Sequence, residues 1–209
     1  MTIKLLVATR NPGKVKEYQE LLADLPVEIT WLEAEGITLE VDETGVSFEE
    51  NALLKASTYA HVSGLLTWAD DSGLEVDALG NWPGVASARH AGPNATDAER
   101  TNILLQRLEG TPYERRTAVF RCVVALATPD GQSSVTASGY CSGVITETPQ
   151  GQGGFGYDPV FYVPKYKRTY AQLDPGEKNN LSHRGRAARK AKILLKQYLE
   201  EGSGRSGNQ

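Results

Sequence analysis

Residues 9–14, Thr9-Arg10-Asn11-Pro12-Gly13-Lys14, pack a hydroxyl, an amide, a glycine and a lysine into six positions. An apolar run at 5–8 precedes them and an amphipathic run at 15–25 follows, so the stretch reads as a tight turn from a strand into a helix. Asn11 suits the N-cap and Pro12 the first helical position. A helix N-terminus offers unpaired N–H groups and a partial positive charge, which fits a phosphate. Lys14 in the first turn opposes the helix dipole but favours an anion. An ordinary strand-to-helix turn with a solvated lysine has the same residues. The stretch is not a Walker loop, because one glycine precedes the lysine and Val15 stands where that motif has Ser or Thr.

Three further segments carry chemistry. The first is acidic: Glu43 in Asp42-Glu43-Thr44-Gly45, and the pair Asp70-Asp71. Adjacent carboxylates repel one another unless a cation or a proton intervenes. The pair follows the apolar run 65–69, so it is expected at the carboxyl end of a strand, where open α/β sheets bind ligands. A turn capped by Asp71 or Ser72 is the alternative. Oxygen donors without His or Cys suit Mg²⁺ over Zn²⁺. The second is Gly153-Gly154-Phe155-Gly156-Tyr157-Asp158, where an aromatic framed by glycines leaves room for a flat ligand and Asp158 can accept from a base N–H. A glycine-rich hairpin with core aromatics is the competing reading. The third, Lys178-Asn179-Asn180-Leu181-Ser182-His183-Arg184, gathers cationic and titratable groups ahead of a helix. For Lys178 alone, a solvated basic face is the simpler reading. His61 and His90 have no partners in sequence and read as structural or surface residues. Together the four segments are parts for a nucleoside triphosphate: lysines for phosphates, carboxylates for a metal, an aromatic for the base and polar groups for its edge.

The elements that must position these residues follow from periodicity and stop signals. A strand at 3–8 leads to a helix at 12–24 with Val15, Tyr18, Leu21, Leu22 and Leu25 on one face. A strand at 27–32 and an acidic, irregular stretch at 35–45 come next. The capping box Ser47-x-x-Glu50 opens a helix that stops at Gly64. A short strand at 65–69 ends at Asp70-Asp71-Ser72-Gly73, and a second one follows at 74–77. Residues 80–94 read as a loop, and Thr96-x-x-Glu99 opens a helix to 109. Strands at 117–128 and 133–146 form a hairpin, the first apolar on both faces and so central. Gly151, Gly153, Gly154 and Gly156 imply close backbone approach. Asp174-Pro175-x-Glu177 is another helix start. A basic helix at 186–200 has Ile193, Leu194, Tyr198 and Leu199 as core candidates. No linker is long enough to separate domains. Residues 1–200 read as one domain and 201–209 as a disordered tail.

The chain has 209 residues, 40% hydrophobic and 23% charged, with a net charge of −4. That balance argues against broad electrostatic binding to nucleic acid or an anionic membrane. No run has the length of a signal peptide or a membrane span, so the cytoplasm is expected. Cys122 and Cys141 are too few for a zinc site and are expected as free, buried thiols.

The motifs Thr9-x-Asn11-x-x-Lys14, Ala69-Asp70-Asp71-Ser72-Gly73-Leu74, Gly154-Phe155-Gly156-Tyr157-Asp158-Pro159 and Ser182-His183-Arg184-Gly185 resemble, in order and spacing, those of the inosine/xanthosine triphosphate pyrophosphatases. The resemblance covers about 3–200. It implies an α/β fold with a long, twisted mixed sheet, flanking helices and two lobes around a central cleft, and a homodimer. It implies Mg²⁺-dependent hydrolysis of ITP, dITP or XTP to the monophosphate and pyrophosphate. Carried over by position, Thr9, Arg10, Asn11, Pro12, Gly13 and Lys14 would hold the triphosphate, with Lys55 a further contact. Glu43 and Asp71 would bind Mg²⁺, Asp70 sharing it, and Asp71 would be the general base. Ser72 would contact substrate. Phe155 would stack on the purine, Gly156 and Tyr157 beside it would belong to the substrate site, Asp158, His183 and Arg184 would read the base edge, and Lys178 would meet phosphate or base. A triphosphatase releasing single phosphates and a non-catalytic nucleotide-binding regulator are the competing readings; the three carboxylates argue against the latter.

Overall fold

A computed structural model describes residues 3–131 and 134–205. The first strand, β1 (Ile3–Val7), is apolar enough to be buried on both faces, and it pairs in parallel with β2 (Val27–Trp31) and β3 (Leu66–Val76) on either side. With β4 (Trp82–Pro83), β5 (Thr117–Ala127), β6 (Ser134–Ile145), β7 (Phe161–Val163) and β8 (Arg168–Thr169), it forms a mixed eight-stranded sheet among the described residues. The order is β2-β1-β3-β5-β6-β7-β8, with β4 antiparallel to β3. The β6–β7 and β7–β8 pairs are antiparallel. Five α-helices lie in the described chain: α1 (Pro12–Leu21), α2 (Phe48–Ser63), α3 (Asp97–Arg107), α4 (Pro175–Leu181) and α5 (His183–Arg205).

The caps form where the sequence places them, with one difference. Both arms of the Thr96–Glu99 box are made, and α2 ends at Gly64 in the left-handed conformation. At the start of α2, Ser47 accepts from Glu50 N, but Glu50 returns its carboxylate to Val46 N, one residue earlier than a closed box requires.

Four expectations are corrected. β3 does not stop at Asp70; it runs eleven residues, straight through Asp70-Asp71-Ser72-Gly73. Neighbouring strand residues point to opposite faces, so the two carboxylates separate, and each takes a lysine rather than breaking the strand. The basic helix starts at His183 rather than at about 186, with Ser182 Oγ capping Gly185 N at 3.1 Å. Beyond His183 and Arg184 at its start, its buried hydrophobic residues are Ala187, Ala188, Ala191 and Leu195, while Ile193 and Tyr198 are exposed. Small alanines on one face outweigh the larger apolar residues beside them. α5 continues to Arg205, into the stretch read as a tail; residues 206–209, and residue 133 at the expected start of β6, lie outside the described residues.

The chain folds as two compact units. One comprises Met1–Asp71, Val123–Ser138 and Arg186–Gln209, the other Ser72–Cys122 and Gly139–Gly185. In the first, Ala52, Ala56 and Ala60 of α2 pack with Ala8, just after β1, and with Ala69, Ala125 and Ala127 of the sheet. Their small volumes let the helix backbone approach the strands closely. Tyr18 of α1 meets Trp68 of β3 edge-on at 5.4 Å, an arrangement that contributes about 1 kcal/mol beyond area burial. In the second unit, Leu104 and Leu108, Phe120, Phe161 and Tyr170 are among the large members of a separate core. Cys122 and Cys141 are both buried thiols, as expected.

Candidate active site

In the first unit the turn after β1 closes on itself. Asn11 Oδ1 accepts from Gly13 N at 2.8 Å and Lys14 N at 3.2 Å, and Asn11 N donates to Thr9 Oγ1 at 3.2 Å. Two of the N–H groups that recommended this helix end to a phosphate are therefore spent on its cap. Pro12 and Gly13 open α1 behind it. The Arg10 guanidinium donates to the carbonyls of Ile37 and Leu39, each at 2.9 Å, and so holds the acidic stretch. Lys14 Nζ lies 2.8 Å from Asp70 Oδ2, whose side chain is 2% exposed. A buried carboxylate thus offsets the unfavourable position of Lys14 in its helix.

Asp71 faces α2. Its Oδ1 lies 3.3 Å from Lys55 Nζ and its Oδ2 accepts from Asn51 Nδ2 at 3.2 Å. Lys55 also forms a short ion pair with Glu43. One ammonium therefore gathers the two carboxylates that the sequence assigns to a metal. Among the described residues, no three His, Cys, Asp or Glu side chains form a ready-made cage.

In the second unit the glycine-rich loop wraps a carboxylate. Asp158 Oδ2 accepts from Phe155 N at 2.9 Å and forms a short ion pair with Lys178, both side chains nearly fully buried. Gly154 has φ of +74°, and a Cβ there would lie 2.0 Å from Asp158 Oδ2. Lys178 is not a solvated surface residue; it is 5% exposed because Asp158 and the Phe155 ring, 4.7 Å from its Nζ, take up its charge. Phe155 is only partly buried. Arg184 lies 5.4 Å from the same ring and donates to Ser72 Oγ at 2.9 Å. His183 is 3% exposed and stacks on Phe120 at 4.5 Å. Gly156 N donates to Asp97 Oδ2 at 2.7 Å, tying the loop to the start of α3. The Tyr157 side chain turns into the protein, where its hydroxyl meets His90 and the Ser87 carbonyl. His90 is therefore partnered, while His61 is exposed.

A family model described as the Ham1 family matches residues 5–193. The chain belongs to the Ham1 family. Among curated relatives, a dITP/XTP pyrophosphatase of Desulforamulus reducens is 51% identical over 201 residues, spanning 95% of this chain and 99% of its own. A dITP/XTP pyrophosphatase of Bacillus subtilis strain 168 is 45% identical and spans 91% and 96%. Among solved structures, a HAM1 protein from Coxiella burnetii is similar with a TM-score of 0.84 and 43% identity, covering 94% of this chain and all of that one.

Two positioning groups of this Ham1 chain were not singled out from sequence. Asn51 is fully buried and bridges Asp71 to Gly45 N. Its signal was a polar residue one turn before Lys55 and adjacent to the buried Ala52. Asp97 is a first-turn acid of α3, and its bond to Gly156 is a tertiary contact with no local signature.

Proposed function

We propose that this chain hydrolyses the non-canonical purine nucleoside triphosphates ITP, dITP and XTP to the monophosphate and pyrophosphate. The observation that carries the reading is the pairing of Lys14 with Asp70, and of Lys55 with Asp71 and Glu43. Lysines of two helices stored against carboxylates, two of which are neighbours on β3, can exchange partners when an anion and a cation arrive together. The lysines then meet phosphate oxygens. Thr9 and Asn11 hold the turn that carries Lys14.

The carboxylate set fits Mg²⁺, which takes one or two carboxylates and completes its shell with water and substrate phosphates rather than requiring an all-protein cage. Glu43 and Asp71 would hold it, with Asp70 alongside. When bound it would offset charge on the phosphoryl oxygens. Hydrolysis adds one water across the bridge between the α and β phosphates. Asp71 accepts the water proton; with two donors on it, a carboxylate of about four acceptor positions has room for a third. Asn51 and Lys55 fix its orientation.

The purine lies on Phe155, and Arg184, held by Ser72, and His183 donate toward the 6-keto oxygen of inosine or xanthine. Adenine has an amino group there and would leave buried donors unpaired, which rejects it more strongly than shape alone. Asp158 fixes Phe155 and Lys178. A homodimer is what the family resemblance implies. No helix of the described residues is long and apolar enough to cross a membrane.

Asp71→Asn tests the assignment. Turnover is expected to fall by about 100-fold or more, the scale of a lost general base, while calorimetric titration with ITP still shows binding. Undiminished turnover in this variant would refute the role of Asp71.

A further inference from the structure

Behind Phe155 runs a hydrogen-bonded chain through the Tyr157 hydroxyl and His90. The Tyr157 hydroxyl lies 2.9 Å from the Ser87 carbonyl oxygen and 2.6 Å from His90 Nε2. A carbonyl cannot donate, so the single tyrosine proton goes to Ser87, and His90 Nε2 must carry the proton of the other bond. Ser87 is itself pinned: its hydroxyl accepts from Leu74 N of β3 at 2.9 Å and donates to the Gly84 carbonyl at 2.6 Å. The loop bearing Phe155 and Asp158 is thus tied through Tyr157 to a strand of its own unit.

The other nitrogen, His90 Nδ1, is buried and has no hydrogen-bond partner among the described residues. A proton added there has no acceptor. Two arginines of α3, Arg100 and Arg107, also oppose a charge on the ring. Trp82 of β4 packs edge-on at 4.6 Å, and Arg107 of α3 lies over that indole. Arg100 of α3 reaches the Ala88 and Ala95 carbonyls and pairs with Asp97, the one carboxylate in this group, while Arg89 of His90's own segment donates to Val85 O.

We propose that His90 and Tyr157 are positioning residues for the base site, a lock that holds Phe155 and Asp158 in place and opens when His90 takes up a proton. The inference rests on the reading of Phe155 as the purine platform. Burial, with Arg100 and Arg107 adding repulsion, holds the His90 imidazolium below its ordinary value of 6.5. The neutral ring therefore belongs to the closed loop. Acid that would protonate a free histidine favours the state in which His90 leaves its site.

The test is nucleotide affinity against pH. Kd for ITP is measured by calorimetry in the Asp71→Asn background with Mg²⁺ from pH 8 to pH 5.5, and KM and kcat are measured in the otherwise native protein. His90→Phe and Tyr157→Phe should raise Kd and KM about three- to tenfold at pH 8, the scale of one lost hydrogen bond, with a smaller change in kcat. His90→Gln keeps a donor that does not titrate. It should restore affinity at pH 8 and lose the extra weakening in acid, so the ratio of native to His90→Gln Kd rises as pH falls past 6.5. Titration of the substrate phosphates cancels in that ratio. A ratio flat across the range, or Phe variants with native affinity, would overturn the lock. Thermal melts at each pH separate unfolding from loop release. Absence of pyrophosphate release would count against the proposed reaction and leave the affinity comparison intact.

Discussion

Asp70 and Asp71 show how one peptide bond separates two electrostatic tasks. Strand alternation turns Asp70 toward α1 and Lys14, and Asp71 toward α2, Lys55 and Asn51. Asp158 shows the complementary case, one oxygen serving a backbone N–H and an ammonium in a buried place. That arrangement makes Gly154 indispensable: a methyl group would meet Asp158 Oδ2 at 2.0 Å on a backbone of positive φ. Gly154→Ala should therefore cost roughly 2 kcal/mol in stability, read as a lower thermal midpoint, and raise KM for ITP. A native midpoint together with a native KM would show that the loop does not depend on this contact. At this scale the sequence was informative about which residues matter and less so about what they touch. Lys178 looked like a solvated base, because nothing local reveals that Asp158, twenty positions earlier, takes its charge.

Elements were legible where local chemistry decides them. Asn11, Ser47, Thr96 and Gly64 stop or start helices through bonds within a few residues, and these ends fall where expected. Elements were misread where a tertiary partner overrides the local signal. β3 looked broken at Asp70 because the lysines that neutralise its carboxylates lie on two different helices. The buried face of α5 was assigned to its large apolar residues because close packing against alanines has no periodic strength of its own. Arg116 was likewise unremarkable in sequence. It is 5% exposed, and its guanidinium donates to the carbonyls of Leu108, Thr111 and Thr146, so it closes the end of α3 against the start of β5. Arg116→Met keeps the apolar stem but leaves three carbonyls without this donor. A loss of about 2–4 kcal/mol is expected, seen as a shift in the urea midpoint; a change below about 0.5 kcal/mol would mean that water replaces the guanidinium without penalty.

For the whole molecule, each unit closes its own core and carries its own set of polar residues. The first holds Lys14, Glu43, Lys55, Asp70 and Asp71; the second holds Ser72, Phe155, Asp158, Lys178, His183 and Arg184. The chain passes from one set to the other at the Asp71–Ser72 bond within β3. Membership of the Ham1 family over 5–193 agrees with motifs that run from Thr9 to Gly185. The sheet order was not legible, because the β1–β3 pairing joins segments about sixty residues apart and turns carry no record of it. The central claim concerns which bond is cut and in which nucleotides. The native protein is incubated with Mg²⁺ and, separately, ITP, dITP, XTP, ATP and GTP, and pyrophosphate, phosphate and monophosphate are quantified. The expected result is pyrophosphate and monophosphate in equal amounts from ITP, dITP and XTP, with ATP and GTP slower by at least about 100-fold. Phosphate as the first product, or ATP consumed as fast as ITP, would contradict the account.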